Sequence, residues 1–266
     1  MAHKARKRFG QNFLQDATII DDIVAAINPQ LGDTMVEIGP GLGALTIPLA
    51  KRLKCLNVIE LDRDIVVHLK TLFMDQNVLI YEGDALKFAF PTLGSGLRVV
   101  GNLPYNISTP LLFYLIEHFA GIQDIHVMLQ KEVVERMVAR PGASDYSRLS
   151  VSLQYYFDMD KVLDIGPHAF DPQPKVDSAF VRMVPRRSAL LEARDPALFS
   201  QLVSLAFSQR RKTLRNTLRQ WFTGPDLEAM GIDPGARAQT LSVDDYVRMT
   251  NVLTVRGAKA KTSSDK

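Results

Sequence analysis

The stretch VEIGPGLGAL, residues 36–45, decides the fold. Its first residues extend an apolar run from Thr34 that reads as a short buried strand ending at Ile38. Gly39, Gly41 and Gly43 follow at alternate positions, and residues 42–53 then read as a helix with Pro48 as its weak point. A strand that runs through glycines into a helix is the opening unit of an alternating α/β chain. Glycines let the backbone pass close to a ligand, and the helix N-terminus beyond them offers free N–H groups. Taken alone, the same glycines serve equally well as a tight strand-to-helix turn, so their surroundings must decide.

The alternation continues on both sides. Ile19, Ile20, Ile23, Val24 and Ile27 form a helical stripe that stops before Pro29. After the glycines come a strand over 55–59 ending at Glu60, a helix over 64–73, a strand over 78–81, a strand over 97–101, a helix carrying Leu111, Leu112, Leu115, Ile116 and Phe119, a strand over 125–129, and a helix over 131–139. Such a pattern predicts parallel strands joined by right-handed crossovers, a Rossmann-like doubly wound sheet. Residues 148–157 read as either helix or strand. Residues 161–165 and 178–184 read as strands joined by a proline-rich connection, an antiparallel finish to the sheet. From Arg186 only helices are expected, so the chain divides into a larger α/β domain over 1–185, a smaller helical domain over 186–256 and a disordered polar tail over 257–266.

Composition narrows the class. The 266 residues are 46% hydrophobic and 23% charged, ordinary values for a chain with a sizeable core. A single cysteine, Cys55, excludes an internal disulfide, and five scattered histidines supply no zinc spacing, so no metal is expected. The basic start, residues 1–8, runs into polar Gly10, Gln11 and Asn12 rather than an apolar segment, and no run reaches the length of a membrane span. The expectation is a soluble cytoplasmic monomer. A net charge of +3 and a pI near 8.9 hint at a polyanionic partner and prove none.

Three further strand ends carry chemistry. Glu60 lies 21 residues beyond Gly39, where an acid can bind ribose hydroxyls, and the next strand ends in Glu82, Gly83 and Asp84. Read through Ala44, the glycines even fit a dinucleotide fingerprint, so a nicotinamide oxidoreductase competes. Against it, Glu37 precedes the first glycine by two residues, which resembles the E-x-G-x-G-x-G loop of S-adenosylmethionine-dependent methyltransferases. In open α/β sheets the ligand crevice lies at the carboxyl ends of the strands, where all these residues fall. The fourth strand ends in GNLPYNISTP, residues 101–110. By composition this is a helix start, with Asn102 or Ser108 as a cap and Pro104 and Pro110 as turn residues. That reading does not need Tyr105 and does not explain four such residues beside the crevice. An exocyclic amine on an aromatic base is a poor nucleophile because its lone pair is delocalised into the ring. The Asn102 oxygen and a backbone carbonyl at Leu103 or Pro104 can accept from both its N–H bonds, while Tyr105 stacks on the base.

Asn102, Leu103, Pro104 and Tyr105 resemble the N-[LIP]-P-[YF] signature of amino-methyltransferases that act on nucleic acid. Together with RFGQNFL (8–14), EIGPGLGALT (37–46), FDPQPKVDSAFVR (170–182) and FSQRRKTLRNTL (207–218), they make the chain similar to the bacterial small-subunit ribosomal RNA adenine N6,N6-dimethyltransferases. The resemblance implies S-adenosylmethionine as methyl donor and two adjacent adenines near the 3′ end of 16S RNA, within a 30S-type particle, as acceptors. It implies that Asn12 and Leu14 close over the methionine end of the cofactor, Gly39 and Gly41 pass beneath it, Glu60 takes the ribose hydroxyls and Asp84 the adenine, with Asn102 lying against it. Phe170 would cover the other face of the target base, although a core aromatic pinned by Pro172 and Pro174 explains it as well. One departure is Ser147 in SDYSRLSV (144–151), where the family pattern has glycine.

Arg211, Arg215 and Arg219 recur every fourth residue and predict a basic ridge on one helix face, joined by Lys4 and Arg8. A solvated face is the bland alternative. In a chain suspected of meeting RNA the ridge fits phosphates, which position RNA without reading its bases. Two other functions compete: a related methylase of the antibiotic-resistance type acting on large-subunit RNA, and a noncatalytic RNA-binding assembly factor, which would need neither Asn102 nor Tyr105.

Overall fold

The chain was analysed as a computed structural model that describes residues 11–74, 76–186 and 192–258. Lys4, Arg8 and all but Gly257 and Ala258 of the expected tail lie outside the described residues.

Helix α1 (Ala17–Ile27) starts where the Asp16 carboxylate accepts from the Thr18 and Ile19 N–H groups at 3.0 and 3.2 Å. It ends at Asn28, whose φ of 48° places it in the left-handed region, one residue before Pro29. Strands β2 (Thr34–Ile38), β3 (Leu56–Glu60), β4 (Val78–Glu82), β5 (Leu97–Asn102) and β6 (Ile122–Gln130) pair in parallel, in the order β4-β3-β2-β5-β6. Between them run α2 (Thr46–Ala50), α3 (Arg63–Leu72) and α4 (Ser108–Glu117), and β6 leads into α5 (Lys131–Val138). The near-continuous apolar runs of β2, β3 and β5 follow from burial on both faces.

Strand β9 (Ser178–Pro185) pairs antiparallel with β6 and, on its other side, with β7 (Phe157–Ile165). The expected antiparallel finish is therefore an inner strand, and β7 becomes the edge. A separate two-stranded ribbon joins β1 (Phe13–Leu14) to β8 (Phe170–Asp171), pairing Leu14 with Phe170.

Near the amino ends of β5 and β6 the Arg98 guanidinium is buried. Its Nε donates to Asp124 at 2.9 Å, its Nη1 to Asp33 at 2.5 Å, and its Nη2 to the Ile27 carbonyl at 2.6 Å. One side chain thus ties two strands to the last turn of α1.

Two structural results differ from expectation. Helix α2 is only five residues long: positions 41–45 form turns and Pro48 has no N–H to give, so the helix foreseen over 42–53 is confined to one turn or so. The ambiguous segment is helix α6 (Arg148–Tyr156), and contacts group Arg136–Tyr156 with the chain from Arg186 onward rather than with the sheet. The second unit has its own core, in which Phe199, Leu202, Leu214, Leu218 and Tyr246 are buried among α6, α7 (Pro196–Ala206), α8 (Leu214–Thr217), α9 (Gly224–Ala229) and α10 (Val243–Val255).

Candidate active site

A cleft of about 500 Å³ opens at the carboxyl ends of β2, β3, β4 and β5. The glycine loop forms its floor: Gly39 and Gly41 have φ of +67° and +55°, a conformation that side-chain-bearing residues rarely adopt. A Cβ at Gly41 would come within 3.0 Å of the Phe13 ring, so the strap that includes β1 lies directly on the glycine. The loops of β2 and β5 are equally close. A Cβ on Gly101 would sit well inside van der Waals contact of the Ile38 carbonyl oxygen, and one on Gly39 would lie 3.8 Å from Pro104 Cδ.

Glu60 ends β3 with its Oε1 accepting from the Leu61 and Asp62 N–H groups, both at 2.8 Å, and the Gly41 backbone N–H also favours its charged form. Burial nevertheless holds its carboxyl above the ordinary range. Glu37 is 1% exposed and accepts from Thr46 Oγ1 at 2.7 Å; burial, with the nearby Glu60 charge adding, pushes its carboxyl up to about 7. Asp84 caps the turn after β4 by accepting from Leu86 N–H at 3.0 Å.

At the end of β5 the Asn102 Nδ2 donates to the Asn12 carbonyl at 3.1 Å. That bond assigns the amide nitrogen to the strap and leaves Oδ1 as the acceptor. The Pro104 carbonyl accepts from Ile107 N–H at 3.1 Å. Tyr105 is fixed twice: its carbonyl accepts from Ser108 Oγ at 2.9 Å, and its phenol shares a hydrogen bond with Ser178 Oγ at 2.7 Å. Burial raises the phenol above its ordinary pKa, so the ring stays neutral. Ser108 is therefore not the N-cap of α4; Ile107 occupies that position without a side-chain cap bond, and the serine hydroxyl holds the tyrosine backbone instead.

The cleft brings together Asn12, Leu14, Gly39, Gly41, Glu60, Asp84, Asn102, Leu103, Pro104 and Tyr105, as expected from the sequence. It does not include Phe170. The β1–β8 pairing sets that residue opposite Leu14 and leaves it 3% exposed in the core, so in this structure its ring offers no face to the cleft. The basic ridge is also altered: Arg211, Arg215 and Arg219 are all exposed, but only Arg215 lies on a helix, the four-residue α8. Leu214 and Arg215 N–H groups donate to the carbonyls of Ala236 and Pro234, bonds that replace those a continuous helix would make. Ser147 has no positive φ; its N–H donates to Ser150 Oγ at 2.9 Å, so the loop needs no glycine there.

Sequence reading missed Gln11, whose Nε2 donates to Asp62 at 3.2 Å, and it missed Phe13 and Ser178. All three sit within quoted motifs but carry no signal of chemistry, and Ser178 is 73 residues from its partner.

The lining holds three carboxylates, Glu37, Glu60 and Asp84, among apolar side chains such as Ile38, Ile59 and Leu61, and no Lys or Arg among the described residues. A pyrophosphate would meet like charge here, whereas a cation bearing an aromatic base and a ribose fits the set.

Comparison with known proteins agrees. The family model for ribosomal RNA adenine dimethylase matches residues 2–255. The chain is 57% identical over 258 residues to the ribosomal RNA small subunit methyltransferase A of Aromatoleum aromaticum, covering 97% of each chain. It is 56% identical to the protein of that name from Neisseria meningitidis, covering 94% of this chain and 97% of that one. Among solved structures it is similar to a dimethyladenosine transferase from Plasmodium falciparum, with a TM-score of 0.81, 30% identity and coverage of 92% and 98%. It is also similar to the 23S rRNA methyltransferase ErmE, with a TM-score of 0.73, 26% identity and coverage of 91% and 100%. The sheet is thus that of the Rossmann-like methyltransferases, and the chain belongs to the ribosomal RNA adenine dimethylase family.

Proposed function

We propose that this enzyme transfers methyl groups from S-adenosylmethionine to N6 of two adjacent adenines in a hairpin loop near the 3′ end of 16S RNA, in a 30S-type particle, during small-subunit biogenesis. It acts as a cytoplasmic monomer. The observation that carries the reading is the identity of 57%, over 97% of both chains, with a protein named as a small-subunit methyltransferase. The large-subunit enzyme ErmE stands at 26%.

S-adenosylmethionine supplies an electrophilic methyl group on a sulfonium. The residues that would hold it are Asn12 and Leu14 of the strap, Gly39 and Gly41 of the floor, Glu60 for the ribose and Asp84 for the adenine, with Asn102 on the side of the base. The target adenine must leave its stack to reach the rim. Asn102 Oδ1 then accepts one N6–H bond. We assign the second acceptor to the Leu103 carbonyl, because that of Pro104 already takes the Ile107 N–H. Held this way, the amine keeps its lone pair out of the ring plane and directed at the methyl group, and placement at about 3–3.5 Å supplies much of the rate. No side chain needs to act as a strong base, since the methylated ammonium is acidic. Tyr105 stacks on one face of the base, a contact worth about 1–3 kcal/mol. Phe170 covers the other face only if the β1–β8 ribbon moves. The second unit, with exposed Arg211, Arg215 and Arg219, binds phosphates, and Lys4 and Arg8 are given the same role from the sequence.

Incubation of methyl-labelled cofactor with undermethylated small subunits, followed by RNA digestion and mapping, tests the reaction; absence of dimethyladenosine overturns it. Asn102→Ala is expected to abolish transfer with cofactor binding nearly intact, and unchanged turnover would refute the role given to Asn102.

A further inference from the structure

The antiparallel half of the sheet has so far done nothing for the chemistry, yet one of its residues reaches the site. Ser178 is the first residue of β9, completely buried, and set opposite Gln130 at the end of β6 and Ile165 at the end of β7. Because β9 runs against its neighbours, its beginning lies at the rim where the parallel strands finish. Asn102 pairs with Met128, two residues before Gln130, so the Asn102–Tyr105 loop and the start of β9 share that rim. The Lys131 N–H donates to the Asp177 carbonyl at 2.9 Å, which locks the approach to Ser178 as well.

A buried serine on an inner strand usually spends its hydroxyl on nearby backbone. Here the partner is the Tyr105 phenol at 2.7 Å. The other end of the residue is held by Ser108 Oγ on the Tyr105 carbonyl. With both ends fixed, the long axis of the aromatic ring is held in place by a strand two positions along the sheet from β5, which limits how far the ring can swing away from the rim.

Resting on the function proposed above, we propose that Ser178 is a positioning residue for methyl transfer: its hydroxyl anchors the Tyr105 phenol and so orients the ring on which the target adenine stacks. It touches neither base nor cofactor. Its loss lets the ring swing, which lowers the fraction of bound base in the reactive geometry. The effect belongs in kcat rather than in KM for RNA, because phosphate contacts dominate RNA affinity.

The test uses the full-length protein, undermethylated small subunits and labelled S-adenosylmethionine, with Tyr105→Phe, Ser178→Ala and the double variant. Each single change is expected to lower kcat between about twofold and tenfold, the range of one hydrogen bond. KM for the particle and the equilibrium affinity for S-adenosylmethionine should stay within about twofold. The double variant should be no slower than the slower single, since both remove the same bond. Tyr105→Phe at the wild-type rate overturns the proposal, as does a double variant whose loss is the product of the singles. Tyr105→Phe keeps the ring and leaves Ser178 in place, so it decides the matter even where Ser178→Ala does not fold. Tyr105→Ala separates the two levels of inference: retained turnover sinks the stacking role itself, whereas loss with Tyr105→Ala but not with Tyr105→Phe sinks only the anchor.

Discussion

Glu37 makes the cofactor cleft a source of pH-dependent instability. The carboxyl is 1% exposed and its pKa is raised from 4.5 to about 7, chiefly by burial, with the Glu60 charge adding and the Thr46 hydroxyl opposing. Below pH 4.5 the group is protonated whether the chain is folded or not, and it contributes no difference. Between 4.5 and 7 the folded state keeps a proton that the unfolded state has released, so stability falls as pH rises through this window. Above pH 7 both states are ionised and the full penalty applies. At about 1.4 kcal/mol per unit, a shift of this size costs about 3 kcal/mol. Glu37→Gln keeps an acceptor for the Thr46 hydroxyl and abolishes the titration. Urea unfolding of both proteins, without cofactor, at intervals from pH 4.5 to 8 gives the difference directly, because the groups common to the two that do not couple to Glu37 cancel. The variant should match the wild type at the acid end and exceed it by about 3 kcal/mol at the alkaline end. A difference that does not vary with pH would refute the reasoning, since a mere change of packing has no reason to titrate.

Three other outcomes follow from the same geometry. Gly101→Ala should destabilise the fold by about 1–3 kcal/mol, measured by denaturation, because its Cβ collides with the Ile38 carbonyl on the neighbouring strand; wild-type stability would show that the strands separate freely. Arg98→Met strands Asp124 and Asp33 in a buried place and should cost about 3–5 kcal/mol, whereas a loss below about 1 kcal/mol would mean that the network contributes little. Changing Arg211, Arg215 and Arg219 together to alanine should weaken particle binding and reduce the slope of log affinity against log salt by about 3, one for each phosphate contact. An unchanged slope would leave these side chains as a solvated face.

Most of the rim could be read from the sequence, because each of its parts is local. Buried parallel strands show as unbroken apolar runs, and a residue placed one or two positions after such a run must lie at its carboxyl end. Gly39, Glu60 and Asn102 are of that kind, whereas Asp84 follows the edge strand β4, of which only Val78 is buried. What escaped was set by contacts between distant segments. The spacing of Arg211, Arg215 and Arg219 suits a helix, and nothing nearby in the sequence forbids one. The break comes from backbone bonds to Pro234 and Ala236, and from a bridge between Thr213 and Arg237. Phe170 was balanced between core and site, and the register with Leu14 put it in the core. The 148–157 segment was ambiguous because its apolar residues suit either period, and its helix packs with residues far along the chain. Ser178 lies within the quoted stretch 170–182, but nothing local there ties its hydroxyl to Tyr105, 73 residues away.

The two sides of the rim are mechanically one object. On the cofactor side Phe13 lies on Gly41 and Gln11 reaches Asp62; on the base side Asn102 and Tyr105 project from the end of β5. The hydrogen bond from Asn102 Nδ2 to the Asn12 carbonyl joins them. An asparagine side chain can turn over and exchange its oxygen for its nitrogen at little cost, and either orientation fills the same space. A backbone carbonyl accepts and cannot donate. By meeting the amide nitrogen, the Asn12 carbonyl selects the orientation in which Oδ1 is available to accept from an amine. In the proposed roles, the strap that would close over the cofactor therefore also sets the polarity of the residue that would receive the base. On the same roles, a displaced strap would cost more than cofactor affinity, because it would leave Asn102 free to turn a donor toward the N–H bonds of the amine, where an acceptor is needed.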